Sequence, residues 1–253
     1  METLRTKGVD IRVADVSTDS VETLEACLSG VDILLSLISY IAISDQENIL
    51  IAAKNAGVGR VIPSDFGPFT PPGRRDLQDR VNSSLSGHST GSHVIFFSHQ
   101  KLAIRSFIQN LGIPYTFIDV GWWMQLILPH RLDSPAPPSA VSWSHQSFGP
   151  GTVKVAVTSN DDIGNFVARI ITDPRTLNQY VFCWGEEVAL KEVYALADRV
   201  SGEKLSDAIV HVDVRHGNSP YHSPSDLPKI LAFLPSDVPR RNSPTSRKRQ
   251  SSI

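Results

Sequence analysis

Residues 31–67 read VDILLSLISYIAISDQENILIAAKNAGVGRVIPSDFG. The stretch opens on VDILLSLIS (31–39), an apolar run of the kind found in a strand buried on both faces. It passes through SDQE, where Ser44 and Glu47 stand three apart as a capping box, into a helix expected to run to Gly57. It closes on a second strand, RVIPSDF (60–66). A strand, a helix and a strand at this spacing imply a right-handed crossover and a parallel sheet covered on both faces.

The same rhythm extends outward in both directions. Upstream, DIRVADV (10–16) reads as a strand, and STDSVETLEACLSG (17–30) as a helix ended by Gly30. Downstream, a helix ending near Gly112 leads into the strand PYTFIDV (114–120). Then come TVKVAVTS (152–159) as a strand and DDIGNFVARIITD (161–173) as a helix, its acidic residues at the positive end of the macrodipole. QYVFCW (179–184) and ALKEVYALADRVSG (189–202) add one more strand and helix. The expected fold is α/β, a Rossmann-like doubly wound parallel sheet.

Composition narrows the function. Of 253 residues, 41% are hydrophobic and 20% charged, as in soluble globular chains. A net charge of -2 and a pI near 6.4 provide no broad basic field, so nucleic acid and anionic membrane surfaces are not expected partners; a small-molecule substrate is. Met1 is followed by polar residues rather than a signal-peptide core, and no apolar run reaches bilayer length, which places the chain in the cytosol and off the membrane. Cys27 and Cys183 have no metal-ligand spacing and read as reduced packing thiols.

Two segments break the pattern. VNSSLSGHSTGSHVIFFSHQ (81–100) is polar and lies between two helical halves. With it removed, DLQDR joins KLAIRSFIQNLG, and Leu77, Ile104, Phe107, Ile108 and Leu111 share one helical face. The segment is read either as a retained in-frame intron or as a lid or surface loop. From Asn218 the chain is rich in Pro, Ser and Arg and is expected to be a disordered basic tail.

Lys101 and Arg105, at i and i+4, share one flank of the helix beside its apolar stripe; on generic grounds that flank is solvated. Three stretches leave strand C-termini, where open parallel sheets bind their ligands: SLISY (36–40), PSDFG (63–67) and DVGWW (119–123).

With PSDFG, K-x-x-x-R before GIPYTF, and DDIG followed by DPRTLN, the chain resembles the NmrA-like and isoflavone reductase-like proteins over about residues 8–205. These are atypical short-chain dehydrogenases that bind NADP(H). The resemblance implies Lys101 as the catalytic lysine, with Arg105, Ile38, Ser39 and Phe66 at the cofactor and Trp122 and Trp123 toward the substrate. For the tryptophans and Phe66, core packing is the plain alternative. Phe97 stands where an ordinary short-chain dehydrogenase has its Y-x-x-x-K tyrosine, so the lysine must serve alone as donor to the oxygen that gains charge.

The strand and G-x-x-G-x-x-G turn that open such proteins do not occur in the sequence. The organisation expected is therefore an N-terminally truncated Rossmann-like NAD(P)-binding part over 1–130 carrying the polar insertion 81–100. A small substrate-side part follows over 131–217, with the family helix 161–173, and then the tail over 218–253. The function expected is that of an NADPH-dependent reductase acting on a small aromatic or secondary-metabolite substrate, its pyrophosphate-binding loop missing. The alternatives are a dinucleotide-sensing regulator with a protein partner, and an inactive truncated paralogue.

Overall fold

The computed structural model describes residues 2–67, 91–148, 150–212 and 230–233. In chain order they form α1 (Glu2–Arg5), α2 (Val21–Cys27), β1 (Ile33–Leu35), α3 (Gln46–Asn55), β2 (Arg60–Ile62), α4 (Gly91–Leu111), β3 (Thr116–Asp119) and β4 (Trp122–Trp123). Then follow α5 (Met124–Ile127), α6 (Pro138–Ser144), β5 (Gln146–Phe148), β6 (Lys154–Thr158), α7 (Asn160–Ile170), β7 (Gln179–Cys183), β8 (Glu186–Ala189), α8 (Leu190–Ser201), β9 (Val210–Val212) and β10 (Ile230–Phe233).

β1 pairs parallel with β2, and β10, β7 and β3 form a parallel trio; a parallel bridge from Val61 to Tyr115 joins the two sets in the order β1-β2-β3-β7-β10. Alternation along these strands fills two cores. Leu34, Val61 and Phe117 face one side, where α2, α3 and α4 supply Leu24, Leu50, Ile104 and Ile108. Ile62, Ile118 and Val181 face the other, against Phe166, Val167 and Ile170 of α7. The doubly wound expectation holds, and the β1, β2, β3 and β7 readings with it.

A smaller sheet, β4-β6-β8, packs α8 through Leu190, Val193 and Tyr194. Its β6 and β8 run antiparallel, which the all-parallel reading did not anticipate. The short turn between β7 and β8 leaves no length for a helical crossover. The two sheets meet at Gly121, whose φ is +67; a Cβ there would lie 2.4 Å from the Ala156 carbonyl oxygen. Beyond residue 130, α7 and β7 pack with the parallel sheet.

Several expectations are corrected. DIRVADV is not a strand: no strand among the described residues pairs with it, and Val13 is 87% exposed. Arg12 instead donates to the Cys27 and Ser29 carbonyls and pins the stretch to the end of α2. The capping box at Ser44 does not form. The chain enters α3 already coiled in a 3-10 turn over Tyr40–Asp45, with the Gln46 N–H on the Ile43 carbonyl, so Ser44 lies inside a turn and not at the extended position of an N-cap. α7 is capped two residues before its acidic pair, by Ser159 accepting from the Asp162 N–H.

The polar segment 81–100 is not loop throughout. α4 begins at Gly91, since SHVIFFSHQ carries no proline and continues the register of KLAIRSF; residues 81–90 and Leu77 lie outside the described residues. Within the tail, Ile230–Phe233 of the apolar run KILAF form β10 on the edge of β7, while the flanking residues lie outside the described set.

If the Gly121 contact is the seam between the sheets, Gly121→Ala should lower stability by roughly 2 kcal/mol or more, from its left-handed backbone and the overlap with Ala156. The shift in the urea unfolding midpoint measures it.

Candidate functional site

The loops after β1, β2 and β3 emerge at one end of the parallel sheet and are tied to each other. Ser64 Oγ donates to the Ile38 carbonyl at 2.9 Å, and the Ser64 N–H donates to Gln46 Oε1 at 2.8 Å. Gln46 is fully buried and returns its amide N–H to the Ile43 carbonyl. The Trp123 indole N–H donates to the Phe66 carbonyl at 2.9 Å, and the Val120 N–H donates to the Gly67 carbonyl at 3.0 Å. Residues 63–67 are thereby fixed from both flanks.

Below this loop lies a charge cluster. Arg105 is 1% exposed, and its guanidinium binds the Asp65 carboxylate through Nε and the Asp119 carboxylate through an Nη at 2.8 Å. The Phe117 and Tyr180 rings lie 5.6 and 5.1 Å from its central carbon. Burial alone would lower its pKa, but Asp65 and Asp119 outweigh that and raise it, so the charge is retained. Burial pushes the Asp119 carboxyl up to about 7 against the pull of Arg105, with Asp65 adding to the rise. Cys183 sits behind the cluster, its Sγ on the Asp119 carbonyl, and burial pushes its thiol up to about 12.

One turn before Arg105, the Lys101 side chain reaches the same aspartate. Its Nζ donates to the Asp65 carbonyl at 3.0 Å and lies 3.1 Å from Asp65 Oδ1, with 11% of the side chain exposed. Gly67 faces the ammonium: a Cβ on it would fall 2.9 Å from Nζ.

The expected site residues thus separate. Lys101, Ile38, Ser39 and Phe66 gather at the loop end of the sheet, Ile38 and Phe66 half-buried and Ser39 exposed. Arg105 is not on a solvated flank: two carboxylates opposite hold it in the interior. Trp123 packs on the α7 core beside Phe66. Trp122 lines a separate cavity of about 50 Å³ with Leu126, Ile127, Val155, Leu190 and Tyr194. That cavity is well below the roughly 300–1,000 Å³ of ligand pockets. Asp65, Asp119, Gln46 and Gly67 were missed. Their signal was present, since two cations at i and i+4 beside an apolar stripe need anions if the flank is buried, and Asp65 and Asp119 close two buried strands.

Leu37 is 71% exposed in the loop after β1, and half-buried Phe66 lies in the loop after β2 that holds the ammonium. Among the described residues no glycine turn joins a strand to a helix N-terminus in the manner that cradles a pyrophosphate. Nor do these residues include a helix long and apolar enough to cross a membrane, or a cluster able to hold a metal.

Comparison with known proteins agrees with this architecture. The chain is 32% identical over 204 residues to the asnovolin J 5′,6′-dehydrogenase of Aspergillus novofumigatus, covering 79% of this chain and 56% of that protein. It is 28% identical over 208 residues to a phenylcoumaran benzylic ether reductase of Pyrus communis, covering 81% and 62%. The chain therefore spans rather more than half the length of these curated relatives. In fold it is similar to a crystal structure of isoflavone reductase, with a TM-score of 0.61 and 24% identity over 93% of this chain and 64% of that one. It is also similar to the leucoanthocyanidin reductase–NADPH binary complex from Vitis vinifera, with a TM-score of 0.59 and 23% identity over 84% and 63%. With the NmrA-like family matching residues 1–222, beyond the 8–205 expected from the motifs, the chain belongs to that family.

Proposed function

We propose that the chain carries the reducing site of an NADPH-dependent oxidoreductase of the isoflavone reductase-like type, acting on a small planar phenolic or related secondary metabolite. The observation that carries this reading is the single ammonium of Lys101, set among the loops after β1, β2 and β3 with part of its side chain open. The relatives, named as a dehydrogenase and benzylic ether reductases, support the same class.

NADPH, when bound, supplies the hydride. Ile38, Ser39 and Phe66 would border its nicotinamide end; Trp122, packed on the core of the smaller sheet, is given no substrate contact. Lys101 gives an N–H to the substrate oxygen as negative charge builds there and transfers the proton, regaining one from solvent. Arg105 is given a positioning role, holding Asp65 and hence the loop in place, rather than touching the cofactor.

NADPH consumption is the direct test, with an isoflavone and a phenylcoumaran as substrates. Lys101→Ala should lower kcat roughly 100- to 10,000-fold with the affinity for NADPH nearly kept. An unchanged kcat refutes the assignment of the lysine.

The cluster also predicts a pH response. The folded pKa of Asp119 lies above its ordinary 3.8, so between about 4 and 7 the folded state holds a proton that the unfolded state has released. Stability from this group is highest below that window and falls as pH rises through it. Asp119→Asn keeps an acceptor for Arg105 but removes the titration, so urea unfolding at pH 5 and pH 8 should show a smaller loss of stability in the variant than in the parent chain.

A further inference from the structure

Lys101 lies on a long flexible stem, and a proton donor must be held to a fraction of an ångström to be useful. What holds it is not its own helix. Among the described residues, the groups placed against its Nζ belong to residues 65–67. The Asp65 carbonyl accepts one N–H at 3.0 Å, Asp65 Oδ1 stands 3.1 Å away, and Gly67 leaves open the volume that any side chain would fill at 2.9 Å. An ammonium has three N–H groups. One goes to the Asp65 carbonyl. Oδ1 lies within ion-pair range but outside hydrogen-bond alignment, so among the described residues it takes no second N–H from the ammonium.

Asp65 cannot swing away, because its other oxygen is bound by Arg105 and the following residue's carbonyl takes the Trp123 indole N–H. Gly67 is fixed in turn by its carbonyl, which accepts from Val120. Its φ does not lie in the left-handed region, so the backbone there would accept alanine; what needs glycine at this position is the ammonium.

We infer that Asp65 and Gly67 are positioning residues that together form a seat for the Lys101 ammonium, one by charge and one by the lack of a side chain, and so set its direction toward the substrate. The consequence for activity rests on the proposed role of Lys101; the seat itself does not.

The test uses the full chain and has two readouts. In the first, Lys101 is labelled by formaldehyde and borohydride in the absence of any ligand. Its rate is read by peptide mass spectrometry relative to Lys54 and Lys191 in the same sample. Gly67→Ala and Asp65→Asn should each raise the Lys101 ratio about fivefold or more. Asp65→Asn leaves Arg105 with one carboxylate and costs folding stability; Gly67→Ala displaces only the far end of a flexible side chain, and decides the question if the aspartate variant fails to fold. A Lys101 ratio in Gly67→Ala equal to that of the parent chain overturns the seat.

In the second, NADPH consumption is followed with an isoflavone and a phenylcoumaran. Gly67→Ala should lower kcat about tenfold with KM for NADPH unchanged, and should cost nothing further when added to Lys101→Ala. An equal loss in the Lys101→Ala background shows that Gly67 acts by some other route and overturns the positioning role. If the parent chain reduces neither compound, the proposed function fails while the labelling ratio still decides the seat.

Discussion

One guanidinium organises the molecule. Arg105 lies in the interior between Asp65 and Asp119, under the rings of Phe117 and Tyr180, and so joins the long helix α4 to the ends of two neighbouring parallel strands. Charges at this depth persist only when paired; removing one partner of such a set costs about 3–5 kcal/mol, because the other is left buried and uncompensated. The pairing also fixes geometry. With Arg105 locked, the preceding turn of α4 can deliver Lys101 to a single place, against the far oxygen of the same aspartate.

The rest of the site is built by backbone groups whose partners come from elsewhere in the sequence. Ser64 leans on Ile38 and Gln46, Phe66 on Trp123, and Gly67 on Val120. The loop after β2 is thereby as well fixed as a strand, although it has no regular structure. Its rigidity follows from the parallel sheet, which brings the ends of β1, β2 and β3 to one edge, and from the two apolar cores that hold those strands in register.

The sequence made β1, β2, β3 and β7 legible because each carries adjacent apolar residues, as a strand covered on both faces needs; β10 lay hidden in the stretch read as tail. It misled at DIRVADV, whose alternation is strand-like although no strand among the described residues pairs with it. Hydrogen-bond partners, not residue types, decide whether a strand exists. Ser44 failed as a cap for a different reason: the 3-10 turn runs through it, whereas an N-cap residue has extended backbone. Lys101 was found from its spacing and its family resemblance. The depth of Arg105 was not, since i,i+4 cations look the same on a wet flank and in a buried one until the opposing aspartates are placed. Likewise the adjacent tryptophans read alike in sequence, yet their indoles turn to different cores, Trp123 to the parallel sheet and Trp122 to the smaller one.

Cys183 closes the back of the charge cluster, and its burial has a use for the experimenter. With its proton retained to about pH 12 and its sulfur on the Asp119 carbonyl, it is screened from alkylating reagents, which attack thiolates, whereas Cys27 is partly open to solvent. A thiol dye added to the native chain therefore counts one sulfhydryl quickly. The second equivalent then serves as a clock for opening of the strand between β3 and β10.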